Sequence, residues 1–507
     1  LWWETNDGCN DDGSGSSVCM LARMPCGLLR PGLSLVLFFI QFELFHALNS
    51  PPTTMNKIHK SLEIPLIFVH GMKGSHLKSA RPSKGLLYGY QPPQRPWLTT
   101  SGLLGLSTPD LRLPLEWHLS SNGGVFQGYD ELYPESVISS VNIQLSEQLN
   151  IDLVPIYGPM LNKAQKSDRP FHTYLWDWRR DLGEASRGLE AFLDRVSAQH
   201  EGAPVQVLGH SMGGLITLPV LNRRPELFAG VVFAGVPFGT GPQYLSDVHV
   251  GYKAGLNARM FCPEVQVSFS SHWLFFPEEP KRSDVLDTAT GENIAIDFYN
   301  VEDWERFELG VFSPTFVPTF GEEDFNYARV KTHLQRAFQC AKDFRKLLTC
   351  DPAVEYPPIT VFSSNGHDTV NQVLATPVIM NDPTSVYSSS ENQGKSPARR
   401  KKTYMLDFTS GRVVPGDGRI DFAKSFPPHG IPYDSVSCTS KHMDIVHENV
   451  GELWGILEDQ LDAFLVGAAG RRRDGQKEGS GEMMTADSSG IKTLEAGVTT
   501  LLDKQKR

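Results

Sequence analysis

The sequence is short of cysteine, of surplus positive charge and of long apolar runs, and each shortage closes off a class of protein. Seven cysteines in 507 residues cannot staple a scaffold. Cys9, Cys19 and Cys26 fall in the N-terminal stretch, and Cys262, Cys340, Cys350 and Cys438 are scattered with no C-x-x-C spacing, which argues against a structural zinc site. One or two disulfides stay open, a Cys340–Cys350 pair among them. The formal net charge of -11 repels phosphate backbones, so nucleic acid is not an expected partner. Attraction to an anionic membrane would need a local basic patch. No N-x-[ST] acceptor with a permissive middle residue occurs, which argues weakly against a heavily processed secreted form.

No stretch is a comfortable membrane span, because the longest apolar run, residues 33–42 (LSLVLFFIQF), is broken at Glu43. Two readings fit this N-terminal extension, residues 1–61. From Met24 it reads as a signal peptide, with basic residues, a short apolar region and a polar break at Asn49-Ser50-Pro51. Alternatively, residues 1–54 are mistranslated and Met55 is the start. The first reading puts the protein in the secretory pathway; the second leaves it cytoplasmic and peripheral to membranes.

What is present is a core-building composition, 40% hydrophobic, with strand and helix signals in alternation. Residues 65–70 (PLIFVH), 171–176 (FHTYLW), 204–208 (PVQVL), 228–236 (FAGVVFAGV) and 359–364 (ITVFSS) read as strands. Residues 182–200 place Leu182, Leu189, Phe192, Leu193 and Val196 at helical spacing, and residues 212–223 and 451–465 also read as helices. Alternation of this kind predicts an α/β protein with a mostly parallel sheet covered by helices on both faces. Residues 237–355 lack strand rhythm and read as an inserted cap. Residues 390–402 read as a basic loop, and the polar stretch 466–507 as a disordered tail.

Gly209-His210-Ser211-Met212-Gly213 fits G-x-S-x-G and lies between a strand and a helix, the context a nucleophile elbow needs. The serine sits on a strained turn, so Gly209 and Gly213 remove side chains that would clash. The helix N-terminus then offers N–H groups to developing negative charge. One oxyanion donor is expected from Met212, the residue after the nucleophile. The other is expected from Met72, in the glycine-bounded loop after the first strand. A serine hydroxyl needs a histidine to take its proton and a carboxylate to orient that histidine, and in this fold the chain order is Ser, acid, His. His442 and His447 are the late histidines. Asp417 and Asp368 are rival carboxylates, and order alone does not separate them.

These residues belong to a wider set of blocks. Val69-His70-Gly71-Met72-Lys73-Gly74, Trp176-Asp177-Trp178-Arg179-Arg180-Asp181, Gly209–Gly214, Gly235-Val236-Pro237-Phe238-Gly239, Gly416-Asp417-Gly418 and His442-Met443-Asp444-Ile445-Val446 follow one another in order. Together they resemble the lecithin:cholesterol acyltransferase family, which includes lysosomal phospholipase A2 and phospholipid:diacylglycerol acyltransferases, over roughly residues 62 to 465. The resemblance implies an α/β-hydrolase fold with Ser211, Asp417 and His442 as catalytic residues and Met72 as an oxyanion donor. It favours Asp417 over Asp368 and His442 over His447. It also implies a lid, about residues 78–125, in which Trp97, Leu98, Leu103 and Leu104 resemble a membrane-contacting segment. A hydrophobic cluster packed under a loop is the other reading of those four residues.

Three departures stand out. His70 replaces the family's proline, no cysteines flank the lid, and Arg419-Ile420 replaces the Thr-Val after the acid turn. They bear on lid and substrate more than on reaction. The implied activity is acyl transfer from a phospholipid or other lipid ester, to water or to an alcohol. It would take place at a membrane or lipid-particle surface, and no metal or organic cofactor is implied. A neutral-lipid or small-ester hydrolase, or a catalytically silent lipid-binding protein of the same fold, is the alternative.

Overall fold

Runs such as Leu66–Val69 and Phe228–Ala234 carry no polar face, so they must be covered on both sides. A computed structural model describes residues 64–79, 83–84, 90–91, 97–116, 132–144, 150–321, 325–381 and 400–481. All belong to the unit Lys57–Arg507, and the expectations for residues 1–61 and 482–507 lie outside them. Six strands form one sheet: β1 (Leu66–Val69), β2 (Phe171–Tyr174), β3 (Val205–His210), β4 (Phe228–Ala234), β5 (Ile359–Ser364) and β6 (Asp434–Cys438), in the order β6-β5-β4-β3-β1-β2. Every pairing is parallel. This is the α/β-hydrolase fold.

From β1 the chain moves outward to β2 and returns to β3 on the other side of β1. Direction therefore reverses at β1, and loops leaving the carboxyl ends of β1 and β3 diverge around a crevice. The register sets Val69 opposite Gly209 and Phe233 opposite the same glycine, so three loops start at one level.

Helices close both faces. α1 (Gly158–Gln165) precedes β2, and α2 (Leu182–Gln199) follows it. Asp181 caps α2 by accepting from the Glu184 N–H at 2.9 Å, and of the expected stripe Leu182, Leu189, Leu193 and Val196 are buried and Phe192 half-buried. α3 (Met212–Arg223) is buried from Met212 through Leu221, as a helix between sheet and covering layers must be. α4 (Tyr327–Lys346) lies in the stretch between β4 and β5. Near it Trp273 packs edge-on against Trp304 at 5.2 Å and Phe338 at 5.1 Å. α5 (Val450–Gly481) closes the sheet through two buried amides. Gln460 donates to the Val231 carbonyl at 2.9 Å, and Gln206 donates to the Leu457 carbonyl at 2.8 Å. Among the described residues no helix is long and apolar enough to cross a membrane.

Several expectations are corrected. α5 runs on to Gly481, well past 465: no proline stops it, and its Ala, Arg, Gln, Lys and Glu residues favour a helix against the glycines interspersed among them. Residues 237–355 do contain strands: a hairpin of Tyr252–Ala254 with Asn257–Phe261, and Val285–Asp287, which joins an antiparallel pair of Val373–Asn381 with Arg400–Asp407. The basic stretch expected to be a loop thus ends in a strand from Arg400, and residues 382–399 lie outside the described residues. Cys262, Cys340, Cys350 and Cys438 are all free, so Cys340 and Cys350 form no disulfide; Cys350 is turned toward the Tyr356 hydroxyl.

Candidate active site

Ser211 occupies the bend between β3 and α3 with φ at +54°, a left-handed conformation that an L-residue holds only when its surroundings enforce it. The enforcement is steric. A Cβ on Gly213 would lie 2.2 Å from the Val69 carbonyl oxygen, so the start of α3 rests directly on the end of β1. A Cβ on Gly71 would lie 2.7 Å from the Ser211 Cβ, so the loop leaving β1 passes against the nucleophile. The Ser211 N–H is held by the Ala234 carbonyl at 2.9 Å. Met212 opens α3, where the first N–H groups have no partner within the helix. Met72 lies in a turn closed by the Gly74 N–H on the Gly71 carbonyl at 3.1 Å. Met212 therefore follows Ser211 at the start of α3, and Met72 follows Gly71, the residue of the β1 loop that lies against the nucleophile.

His442 and Asp417 arrive from the far end of the chain. His442 Nε2 lies 3.0 Å from Ser211 Oγ, and His442 Nδ1 lies 2.7 Å from Asp417 Oδ2. The other carboxylate oxygen accepts from the Arg419 and Ile420 N–H groups at 2.8 and 2.6 Å. Burial pushes the Asp417 carboxyl up. The His442 charge and hydrogen bond, with the amides of Ile420 and Arg419, outweigh it and hold the group below its ordinary value. An ionised Asp417 fixes the proton of His442 on Nδ1, leaving Nε2 free to accept the serine proton.

The rivals are separated by position. Asp368 lies exposed on the strand His367–Val370, which pairs with the strand carrying Gly416, and it makes no bond to His442. His447 sits on the short helix Ile445–Glu448, with Nε2 3.9 Å from Asp444.

A buried chain of hydrogen bonds links three loops of the site. The Gly71 N–H donates to the Tyr157 hydroxyl at 3.2 Å, so the hydroxyl proton is left for His210 Nδ1, 2.7 Å away. His210 Nε2 must then carry its proton, which it donates to the His442 carbonyl at 3.2 Å. Burial holds His210 neutral, with its pKa pushed down to about 3, as this tautomer requires. Sequence reasoning missed Tyr157 altogether and read His210 only as the variable residue of the elbow.

The aromatic block 176–181 is a foundation. The Asp177–Arg179 pair is buried, with Arg179 Nη2 2.6 Å from Asp177 Oδ2 and Nη1 donating to the Leu111 carbonyl. His70, in place of the expected proline, stacks on Trp176, and the Trp176 indole donates to its carbonyl at 3.1 Å.

Trp97 does not face solvent, which favours the packed-cluster reading over membrane contact for this residue. It is 5% exposed, its indole N–H donates to the Ser75 carbonyl, and its ring packs edge-on against Trp178 and Phe261. Its indole N–H is thus already used, and the part of the ring left uncovered faces the cavity rather than solvent. Leu98 and Leu103 are half-buried, and together with Leu104 they line a cavity of about 580 Å³ whose walls also include Phe261 and Met443. The exposed large apolar residues on this cavity are Leu104, Leu256 and Met443, and exposed Leu106 follows Leu104 closely in the chain.

Fold and site together define an α/β-hydrolase with a serine–histidine–aspartate series. Residues 178–293 match the serine aminopeptidase S33 family. An uncharacterized protein of Saccharomyces cerevisiae is 23% identical over 257 residues; the match covers 50% of this chain but 35% of that protein, so the chain spans about a third of it. Among solved structures, the Tle4-Tli4 complex is 13% identical with a TM-score of 0.45, covering 78% of this chain and 98% of that one. The propeptide form of the Bacillus licheniformis lipase BlEst2 is 11% identical with a TM-score of 0.29, covering 78% and 50%. A monoacylglycerol lipase of Paleococcus ferrophilus is 11% identical with a TM-score of 0.25, covering 78% and 93%.

Proposed function

We propose that the chain is a serine esterase of lipids. Ser211 attacks the acyl carbonyl while His442 takes its proton, and the Met72 and Met212 N–H groups hold the oxyanion. His442 then protonates the departing alcohol. Water or a second alcohol, deprotonated by His442, releases the acyl group from the enzyme and restores the serine. The observation that carries this reading is the continuous series Ser211 Oγ, His442, Asp417, at 3.0 and 2.7 Å. The apolar walls of the neighbouring cavity, Trp97, Leu98, Leu103 and Phe261 among them, favour a fatty acyl chain over a small ester.

The finer assignment is acyl donation from glycerophospholipid, as an O-acyltransferase or phospholipase A, at a membrane or lipid-particle surface. It is supported by the ordered blocks that resemble the lecithin:cholesterol acyltransferase family. A peptide hydrolase is the second reading, favoured by the match of residues 178–293. An aminopeptidase must hold a substrate ammonium. The charged residue lining this cavity among those described is a cation, Lys73, which counts against that reading. The test is to label one sample of the protein with a fluorophosphonate and to incubate a second, unlabelled sample with mixed phospholipid and a long-chain alcohol. Free acid and new ester are read by mass spectrometry. Labelling at Ser211 with acid or ester formed is the expected result. Labelling at another serine, or none, overturns it.

A further inference from the structure

Lys73 stands one residue beyond Met72, in the loop that presses on Ser211, and holds φ at +59°. Its Nζ is 3.9 Å from the centroid of the Tyr252 ring and 5.0 Å from that of Phe261. Among the described residues it forms no ion pair and no hydrogen bond from Nζ, and it is the charged side chain of the 580 Å³ cavity. Arg112, beside a different cavity, shows the usual outcome: it is paired to both Asp110 and Glu264.

The nearby carboxylate is already engaged. Asp247 is gripped at both oxygens by Arg419, which also lies over the Tyr244 ring at 4.5 Å. Lys73 and Arg419 against Asp247 leave one positive charge in excess beside apolar walls. Burial pushes the Lys73 ammonium down to about 7, the response of a cation lacking a counter-charge. The Tyr252 hydroxyl, on the same wall, is also buried without a hydrogen-bond partner. The cavity is therefore incomplete by one anion.

We propose that Lys73 reads an anionic group, a phosphate or carboxylate, on an amphiphile whose tail lies along Trp97, Leu98 and Leu103. The position suits a headgroup. Lys73 adjoins the loop expected to hold the reacting carbonyl oxygen, and Met443, on the same cavity, adjoins His442. For the ester this rests on the esterase reading above. Binding of the anionic amphiphile does not, so the two can be tested apart.

The Ser211→Ala protein, which cannot turn over an ester, is titrated with oleyl phosphate, oleate and oleyl alcohol. At neutral pH at least one of the two anions should bind about tenfold tighter than the alcohol or better, the scale of a charged hydrogen bond in a dry site. Adding Lys73→Met should bring that ratio close to one, and Lys73→Arg should keep it. A stronger phosphate arm assigns a phospholipid headgroup; a stronger carboxylate arm assigns a free fatty acid. Equal binding of all three, or a preference that survives Lys73→Met, overturns the proposal. Should Lys73→Met not fold, oleyl phosphate or oleate, unlike oleyl alcohol, should protect Lys73 of the Ser211→Ala protein from reductive methylation. Absence of protection by both anions overturns the proposal equally. Fluorophosphonate labelling of the unaltered protein reports separately on Ser211.

Discussion

The bend at Ser211 and the segment 97–106 stand at the same end of the sheet and are held in opposite ways. The bend is held by backbone. Gly71 and Gly213 have no room for even a methyl group, and nearly everything from Val205 to Leu221 is buried. The segment is held by a few side chains and bonds. Trp97 anchors one end, Asn257 donates to the Gly102 carbonyl at 2.9 Å, and the Leu256 N–H reaches the Leu103 carbonyl at 2.7 Å. Leu104 and Leu106 remain 46% and 78% exposed. The proposed chemistry is thus built where substitution is sterically forbidden, and the proposed recognition where it is merely costly.

Breaking the rigid half should give the largest effects. Asp417→Asn should lower esterase kcat by about a thousandfold or more, since the amide cannot hold the required tautomer. Asp368→Asn, exposed and unbonded to His442, should stay within about threefold; the reverse ranking would exchange their roles. Gly213→Ala should cost about 3 kcal/mol of stability or more, because the intruding methyl meets backbone that cannot yield. Leu103→Ala should cost less, and thermal unfolding of the two variants checks the contrast directly.

Tyr157→Phe probes the link between the loops. It strands the Gly71 N–H and His210 Nδ1 together, and kcat should fall about tenfold. Unchanged kinetics would show that the chain of bonds positions nothing. Acid probes the same region. Burial lowers His70 to about 4, and His210 and His272 to about 3, against 6.5 for the free side chain. Below pH 6.5 the unfolded chain binds protons that the folded protein refuses. Stability should therefore be whole above that pH and drain away toward pH 4, by up to about 1.4 kcal/mol per pH unit for each histidine. Urea midpoints measured from pH 7 to 5 should slope accordingly, and His210→Gln should flatten the slope. The smallest effect belongs to the loose half. Leu106→Asp should weaken binding to phospholipid vesicles a few-fold and leave the unfolding temperature in place, and unaltered binding would remove this rim from lipid contact.

What could be read in advance follows the same division. Strands β1 and β4 announced themselves as unbroken apolar runs, and β3 and β5 as mainly apolar ones interrupted by Gln206 and Thr360, because burial on both faces favours that composition. Strand β6 did not: it is an edge strand, its residues Asp434, Ser435 and Ser437 are exposed, and it carries no apolar signature. Ser211 was legible because local geometry demands the glycines around it. Choosing between Asp417 and Asp368 was not a local question. The strand bearing Asp368 pairs with the strand that leads into Asp417, so chain order left the two level; the family resemblance favoured Asp417, which is the carboxylate that meets His442. Tyr157 had no signal at all, since its partner His210 is 53 residues away. Trp97 stayed open between two readings, because an aromatic beside leucines has the same sequence whether it faces lipid or Ser75.

The serine and its proton acceptor are 231 residues apart, and β6, His442 and α5 all come from the last stretch of the fold. During synthesis the elbow leaves the ribosome long before its base exists. A growing chain can therefore display its hydroxyl without the means to activate it, and competence arrives only as translation of the fold nears completion.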